Sequence, residues 1–362
     1  MSVRSLLAIV TAVIVCCPDV RGREPDSRVT TRPVAAIGRP VAARVDHEGT
    51  VHLLADAAGS PNHAHSRDEG FTWSAAIPVV PPGARAPGLE YSAWDLAVGR
   101  GGRVHVALGS NAWKLKLPQE DWGYYYTHLD PGGKAFAPVR NINRKPSEGF
   151  SLAADGTGRL TACWLSERLY ANVSQDDGET FAPTIELDRS SNPCNCCTTS
   201  ATYLEPGKLA ILYREETRNE RDLYLIRWDQ VRGGVARTRV SQTLWKVEAC
   251  PMSYYTLTRG RRGLNAVWPT RGEIFFARLD EEARPVGPAE IKTPGKAGMR
   301  TGMLTLEAPD GCVLVAWKRD ETLGWQLYGR DGRPIGEPGS EPSPGNGVAG
   351  IVRKDGQFLL FR

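Results

Sequence analysis

The chain has 362 residues, with 38 Gly, 26 Pro, 10 Trp, 11 Tyr and 8 Phe, and 45 basic against 41 acidic side chains. That supply of turn formers and aromatics argues against a helical bundle, and a hydrophobic fraction of 41% excludes wholesale disorder. The net charge of +4 is spread without a long Lys/Arg block, which excludes an electrostatic footprint for nucleic acid.

The first predicted element stands outside the fold. Arg4 precedes the apolar run Leu6 to Val15, too short to span a bilayer, and Val20-Arg21-Gly22 offers small residues around a cleavage point. Residues 1–22 therefore read as a signal peptide and 23–362 as one exported domain, periplasmic or secreted. Cys16 and Cys17 close the apolar run and leave lipid attachment as an alternative. No later stretch is long and apolar enough for a transmembrane helix. Beyond the leader remain Cys163, Cys194, Cys196, Cys197, Cys250 and Cys312. An oxidising compartment favours disulfides among them, and the sequence does not choose the pairing.

From residue 40 onward the chain repeats itself. A strand-like run, a tight polar turn and a second apolar run recur at 40–56, 93–109, 149–165, 197–214, 252–269 and 303–318. The turns are Gly- and Asp-rich, as in Asp155-Gly-Thr-Gly158 and Pro309-Asp-Gly311, and suit hairpins because these residues tolerate positive φ. A third run follows each pair and ends at Asp68, Asp130, Asp176, Asp229, Asp280 and Asp331, spaced by about 50 residues. A period of that size with three to four antiparallel strands per unit predicts an all-β fold, a six-bladed β-propeller, as a monomer. Gly347 to Phe361 is expected to close it against the N-terminal region, since a propeller with unpinned ends leaves an open edge.

Two turns carry a resemblance to a known family. Ser66-Arg-Asp68-Glu-Gly70-Phe-Thr72-Trp73 and Ser174-Gln-Asp176-Asp-Gly178-Glu-Thr180-Phe181 both fit S-x-D-x-G-x-T-[W/F]. This pattern resembles the Asp-box of the sialidase superfamily, in which Asp and Gly shape the turn and the aromatic plugs between blades. Asp130-Pro-Gly-Gly-Lys-Ala-Phe136 looks like a third copy with one residue inserted.

The resemblance implies a central face with an arginine clamp for a carboxylate, an Asp acid and a Tyr nucleophile with a Glu partner. Arginine suits the clamp because its planar fork binds a carboxylate bidentately and keeps its charge. Gly38-Arg39-Pro40-Val41-Ala42 is similar to the strand bearing the family's first arginine. Leu212-Tyr-Arg214-Glu-Glu-Thr-Arg218 is similar to the region of the second, and Arg300 opens the last inner strand as Arg39 opens the first. Tyr328 is a candidate nucleophile, and Tyr254, Tyr255 and His63 are candidate ligand contacts. Two carboxylates of the family pattern have no counterpart. No acid lies between Asp56 and Asp68, and Pro193-Cys-Asn-Cys-Cys-Thr198 occupies the place of the Glu. The implied function is recognition of a glycan or other small anionic ligand, extending to a diverged exo-α-sialidase. The alternative is a non-catalytic binding or metal/redox module that keeps only the scaffold.

Cys194-Asn-Cys196-Cys197 and Cys250-Pro251 open neighbouring repeats and so belong at one end of the propeller. They resemble the Cys-x-Cys-Cys plus Cys-Pro pattern of a branch of exported Asp-box propellers. A disulfide from Cys194 or Cys196 to Cys250 would staple two blades. The cofactor alternative is copper(I) or zinc on these thiolates with His63 or His65, and a redox or vicinal disulfide is the third reading. Cys163 and Cys312 fall in second strands and are expected to be buried.

Overall fold

The computed structural model describes residues 28–57, 59–81, 83 and 88–362. The expected leader, with Cys16 and Cys17, lies outside the described residues. Six four-stranded antiparallel meanders follow one another, and a three-stranded sheet completes the ring. Blade 1 comprises Arg39–Val45, Val51–Ala57, Ser60–Ser66 and Ile77–Pro78; blade 2 comprises Tyr91–Val98, Val104–Ser110, Tyr125–Leu129 and Arg140–Asn141. Blade 3 runs Glu148–Ala154, Leu160–Ser166, Arg168–Ser174 and Ile185–Glu186, and blade 4 runs Thr199–Glu205, Lys208–Arg214, Leu223–Asp229 and Gly234–Arg239. Blade 5 takes Thr256–Gly260, Gly263–Thr270, Glu273–Leu279 and Ile291–Lys296; blade 6 takes Met303–Glu307, Val313–Arg319, Thr322–Tyr328 and Pro334–Pro342. The first strand of each blade touches those of its two neighbours, which closes a ring around a central axis. Helix among the described residues is confined to the short 3-10 turns Arg100–Gly102 and Gln119–Asp121.

The propeller has seven blades, which corrects the expectation of six. The C-terminal hairpin Ala349–Val352 and Phe358–Phe361 does pair with the N-terminal region, where Val29–Arg32 runs parallel to Phe358–Phe361. These strands make a blade of their own, however. Its third strand comes from the other end of the chain, so no complete 50-residue unit marks it in the sequence.

The core confirms the count. Among the described residues seven apolar clusters occur, one at each blade boundary, from blades 1 and 2 around to blades 7 and 1. Side chains alternate along a strand, so Leu54 packs toward blade 2 while Leu53 and Ala55 pack toward blade 7. Middle strands are buried on both faces, which is why Leu209 to Tyr213 is an unbroken apolar run with no exposure. In the two S-x-D-x-G-x-T turns the hydrogen bonds are the same. Ser66 Oγ accepts from Gly70 N at 2.8 Å and Asp68 accepts from Thr72 N at 2.8 Å; Ser174 and Asp176 repeat this at 2.8 and 2.9 Å. Trp73 then packs edge-on against Phe361, and Phe181 against Tyr126, each on the preceding blade of the ring.

Candidate functional site

The inner strands all begin at the same end of the axis, and those of blades 1, 2 and 3 carry bulges there. The register breaks between Pro40 and Ala42, between Ala93 and Asp95, and between Glu148 and Ser151. A bulge re-aims side chains and is common beside functional sites. At the second of them stands Trp94, half-buried, with its ring 5.3 Å from Phe150 and 6.1 Å from Tyr254.

Charged groups gather around these three aromatics. Arg39 donates to Asp56 at 3.2 Å and to Asn346 at 3.0 Å. Burial raises the Tyr254 phenol above its usual value, an effect opposed by the charges of Arg300 and Arg39. Burial likewise raises the Glu148 carboxyl, opposed by Arg300. Glu148 is open to solvent yet walled by protein, as suits the mouth of a channel. Arg300 has φ 54° and its N–H donates to the carbonyl of Met252, itself at φ 43°, at 2.9 Å. Two such non-glycine residues each cost on the order of 1–3 kcal/mol, a burden that concentrates at functional sites. Deeper along the strands, Arg44 pairs with Asp95 at 3.0 Å, and Asp95 accepts from Leu96 N and Leu152 N at 2.8 and 3.0 Å. The result is a cationic, aromatic-lined mouth with two carboxyls that burial raises, Glu148 and the deeper Asp95. A depression of 370 Å³ at the other end of the axis is lined by Val45, Asp46, His47, Val98, Gly99, Gly101 and Gly156, the turns after the inner strands.

Of the residues expected from sequence, Arg39, Arg300 and Tyr254 thus come together. Trp94, Glu148 and Asp95 join them without having been singled out. Their one signal in the sequence was position, since they lie near the starts of inner strands just as Arg39 does.

The other expected residues are placed as follows. Arg214 is fully buried between blades 4 and 5, where its guanidinium donates to the carbonyls of Arg221 and Pro269 and lies 4.8 Å over the Trp245 ring. Arg218 is exposed on the following loop, with φ 52°. Tyr255 is buried; its hydroxyl donates to the Thr198 carbonyl and accepts from Arg214 N at 2.9 Å, tying blade 5 to blade 4. Tyr328 packs in the boundary of blades 5 and 6, its ring 5.4 Å from Phe276, and burial raises its phenol. His63 is 1% exposed, stacked between His52 and His65.

The cysteines meet at the blade 4–blade 5 boundary. Cys196 and Cys250 form a disulfide with a Cα separation of 6.4 Å. It joins the loop opening blade 4 to the loop opening blade 5, one of the two pairings expected. A tight turn, with Cys197 N donating to Cys194 O at 2.9 Å, folds the other two sulfurs beside it. The sulfurs of Cys194, Cys196 and Cys197 all lie within 4.8 Å of one another. With Cys196 bonded to Cys250, two thiols remain here, fewer than the four ligands of a structural zinc centre. Cys163 and Cys312 are buried in other boundaries.

No protein-family model matches the chain, and no curated protein matches it by sequence. Among solved structures, a polysaccharide lyase of family PL25, an ulvan lyase, is similar at TM-score 0.55 and 10% identity, covering 90% of this chain and 90% of that chain. A chain of a mitotic checkpoint complex is similar at TM-score 0.54 and 12% identity, covering 97% of this chain and 94% of that one. The Hadza microbial sialidase Hz136 is also similar, at TM-score 0.48 and 12% identity over 82% of this chain and 70% of that chain, too distantly to bear on activity. The likenesses to the lyase and the checkpoint-complex chain agree with the fold described above: the chain is a β-propeller.

Proposed function

We propose that the protein is exported and binds an acidic glycan, one bearing a carboxylate, at the mouth formed by Arg39, Arg300, Trp94, Tyr254 and Glu148. The convergence of two arginines and two aromatic rings at the starts of the inner strands carries this reading. The guanidinium forks would take the carboxylate, and the aromatic rings would offer apolar faces to the sugar. Further support comes from a PL25 ulvan lyase of similar fold, at TM-score 0.54, that is bound to -[GlcA(1-4)Rha3S]-.

A glycosidase of exo-α-sialidase type is the second reading, and Glu148 favours it. A carboxyl raised by burial at the ligand mouth is the kind of group that donates a proton to a leaving oxygen. A fluorogenic sialoside and a panel of uronate and sialate oligosaccharides test both readings. Binding that is lost in Arg39→Ala and Arg300→Ala, without turnover, fits a binding protein. Turnover abolished by Glu148→Gln fits the enzyme. Neither binding nor turnover across the panel overturns the proposal. Export is tested by N-terminal sequencing of the mature protein, expected to begin at Arg23.

A further inference from the structure

The blade 4–blade 5 boundary holds chemistry that the ligand mouth does not use. Cys194 Sγ lies 3.4 Å from Cys196 Sγ, one end of the Cys196–Cys250 disulfide, and Cys197 Sγ lies 3.1 Å from Cys194 Sγ. The three sulfurs form a triangle, all within 4.8 Å of one another, with Cys250 bonded at one corner and a Cys-x-x-Cys pair, Cys194 and Cys197, among them. Cys194 and Cys197 are buried, Cys196 is half-buried and Cys250 is exposed. Burial is thus graded from the thiol pair to the surface.

We propose that these four cysteines form a thiol–disulfide exchange centre, in which Cys194 attacks Cys196, Cys250 is the sulfur released at the surface, and Cys197 resolves the product. The surroundings favour the attacking group. Arg214 and Arg221, both buried, flank Cys194, and the Nε–H of each has no hydrogen-bond partner. Buried cations short of partners favour an anion beside them. The Cys194 thiol is accordingly lowered, first by the hydrogen bond from Cys197 and then, against burial, by Arg221 and Arg214. Cys197, the donor of that bond, is raised. The thiolate is the nucleophile in such exchange, and cationic neighbours are what make it available.

The steps balance without an external oxidant. Cys194 loses its proton and forms a bond to Cys196 Sγ as the Cys196–Cys250 bond breaks; the electron pair leaves on Cys250, which takes up a proton. Cys197, deprotonated, then attacks Cys194 Sγ, and Cys196 leaves as the thiolate and is protonated in turn. One disulfide persists throughout, moving from Cys196–Cys250 to Cys194–Cys197. An external thiol would enter the same path at exposed Cys250. This site is separate from the ligand mouth, and its test does not depend on that reading.

The experiment is alkylation of the native full chain with iodoacetamide, with no reductant added, followed by peptide mapping under non-reducing conditions. The expected result is progressive labelling of Cys250, coupled in the same molecules to a disulfide at Cys194–Cys197 or Cys194–Cys196. Cys194→Ser should slow that labelling at least about tenfold, while Cys197→Ser should retain it because release of Cys250 needs only the first step. Near-ultraviolet circular dichroism checks that both variants keep native packing, and the wild-type map decides alone if either does not. A Cys196–Cys250 disulfide that persists unlabelled while an exposed control thiol reacts fully overturns the proposal. So does Cys250 labelling that Cys194→Ser leaves unchanged, and so do four thiols holding zinc or copper in metal analysis.

Discussion

His63 gives the protein an acid weakness whose size can be worked out. It is 1% exposed, its ring stacked 5.4 Å from His52 and 6.4 Å from His65, with Phe136 edge-on at 5.9 Å. Burial, followed by the charges of His52 and His65, lowers its pKa to about 3 from the ordinary 6.5. An unfolded chain takes up this proton below pH 6.5, whereas the folded chain resists it until about pH 3. More protons on the unfolded state means that stability falls as the pH drops through this window, by about 1.4 kcal/mol per unit. Between pH 6.5 and 5 the loss from His63 alone is about 2 kcal/mol. Urea unfolding of the wild type and His63→Gln, followed by tryptophan fluorescence at several pH values from 7.5 to 4.5, measures it. Gln cannot titrate, so the variant's pH dependence should be shallower by that amount, whatever it loses at neutral pH. Burial also lowers His105 and His128, which tilt both proteins alike, and His52, which is joined to His63 at 3.2 Å and shares in the difference between them. Identical slopes in the two proteins would refute the reasoning, as would an NMR titration placing folded His63 near 6.5.

Two substitutions probe the frame. Gly178 has φ 84°, and a Cβ there would lie 1.9 Å from Tyr126 Oη, so Gly178→Ala combines backbone strain with overpacking. We expect a loss of roughly 3 kcal/mol in chemical denaturation, against little change for Gly233→Ala, a positive-φ glycine with open space around it, beyond its backbone term of about 1 kcal/mol. Arg214→Leu should cost about 2–5 kcal/mol, because the carbonyls of Arg221 and Pro269 lose their buried donors. It should leave ligand affinity within about threefold, since Arg214 is sealed in a blade boundary.

Most of the frame is legible in the sequence because each middle strand is buried on both sides and bounded by tight Gly/Asp turns. Leu209 to Tyr213 and Val313 to Trp317 stand out for that reason. The seventh blade is not legible as a repeat: one of its strands, Val29–Arg32, lies some 300 residues from its partner Phe358–Phe361. A bond from Cys250 to Cys194 or Cys196 could be reasoned because these cysteines open neighbouring blades, and the structure chooses Cys196. Pattern did not separate Arg214 from Arg39. Both occur beside strands in a stretch resembling the same family, yet Arg214 ends a middle strand that is apolar from Leu209 to Tyr213 while Arg39 begins an inner one. Trp94 and Glu148 were hidden because bulges, which no periodicity reveals, decide where they point.

Binding of a carboxylated glycan at the Arg39 end of the channel can be measured directly. Calorimetric titration of the mature protein with N-acetylneuraminic acid and with a glucuronate oligosaccharide, alongside Arg39→Ala, Arg300→Ala and Trp94→Ala, tests it most directly. Saturable binding of at least one of the two is expected, weakened at least about tenfold by each arginine substitution, as follows from losing a charged hydrogen-bond partner. Trp94→Ala should weaken it as well, and the uncharged methyl ester should bind far less tightly. Binding that survives both arginine substitutions, or no binding of either acid, would contradict it.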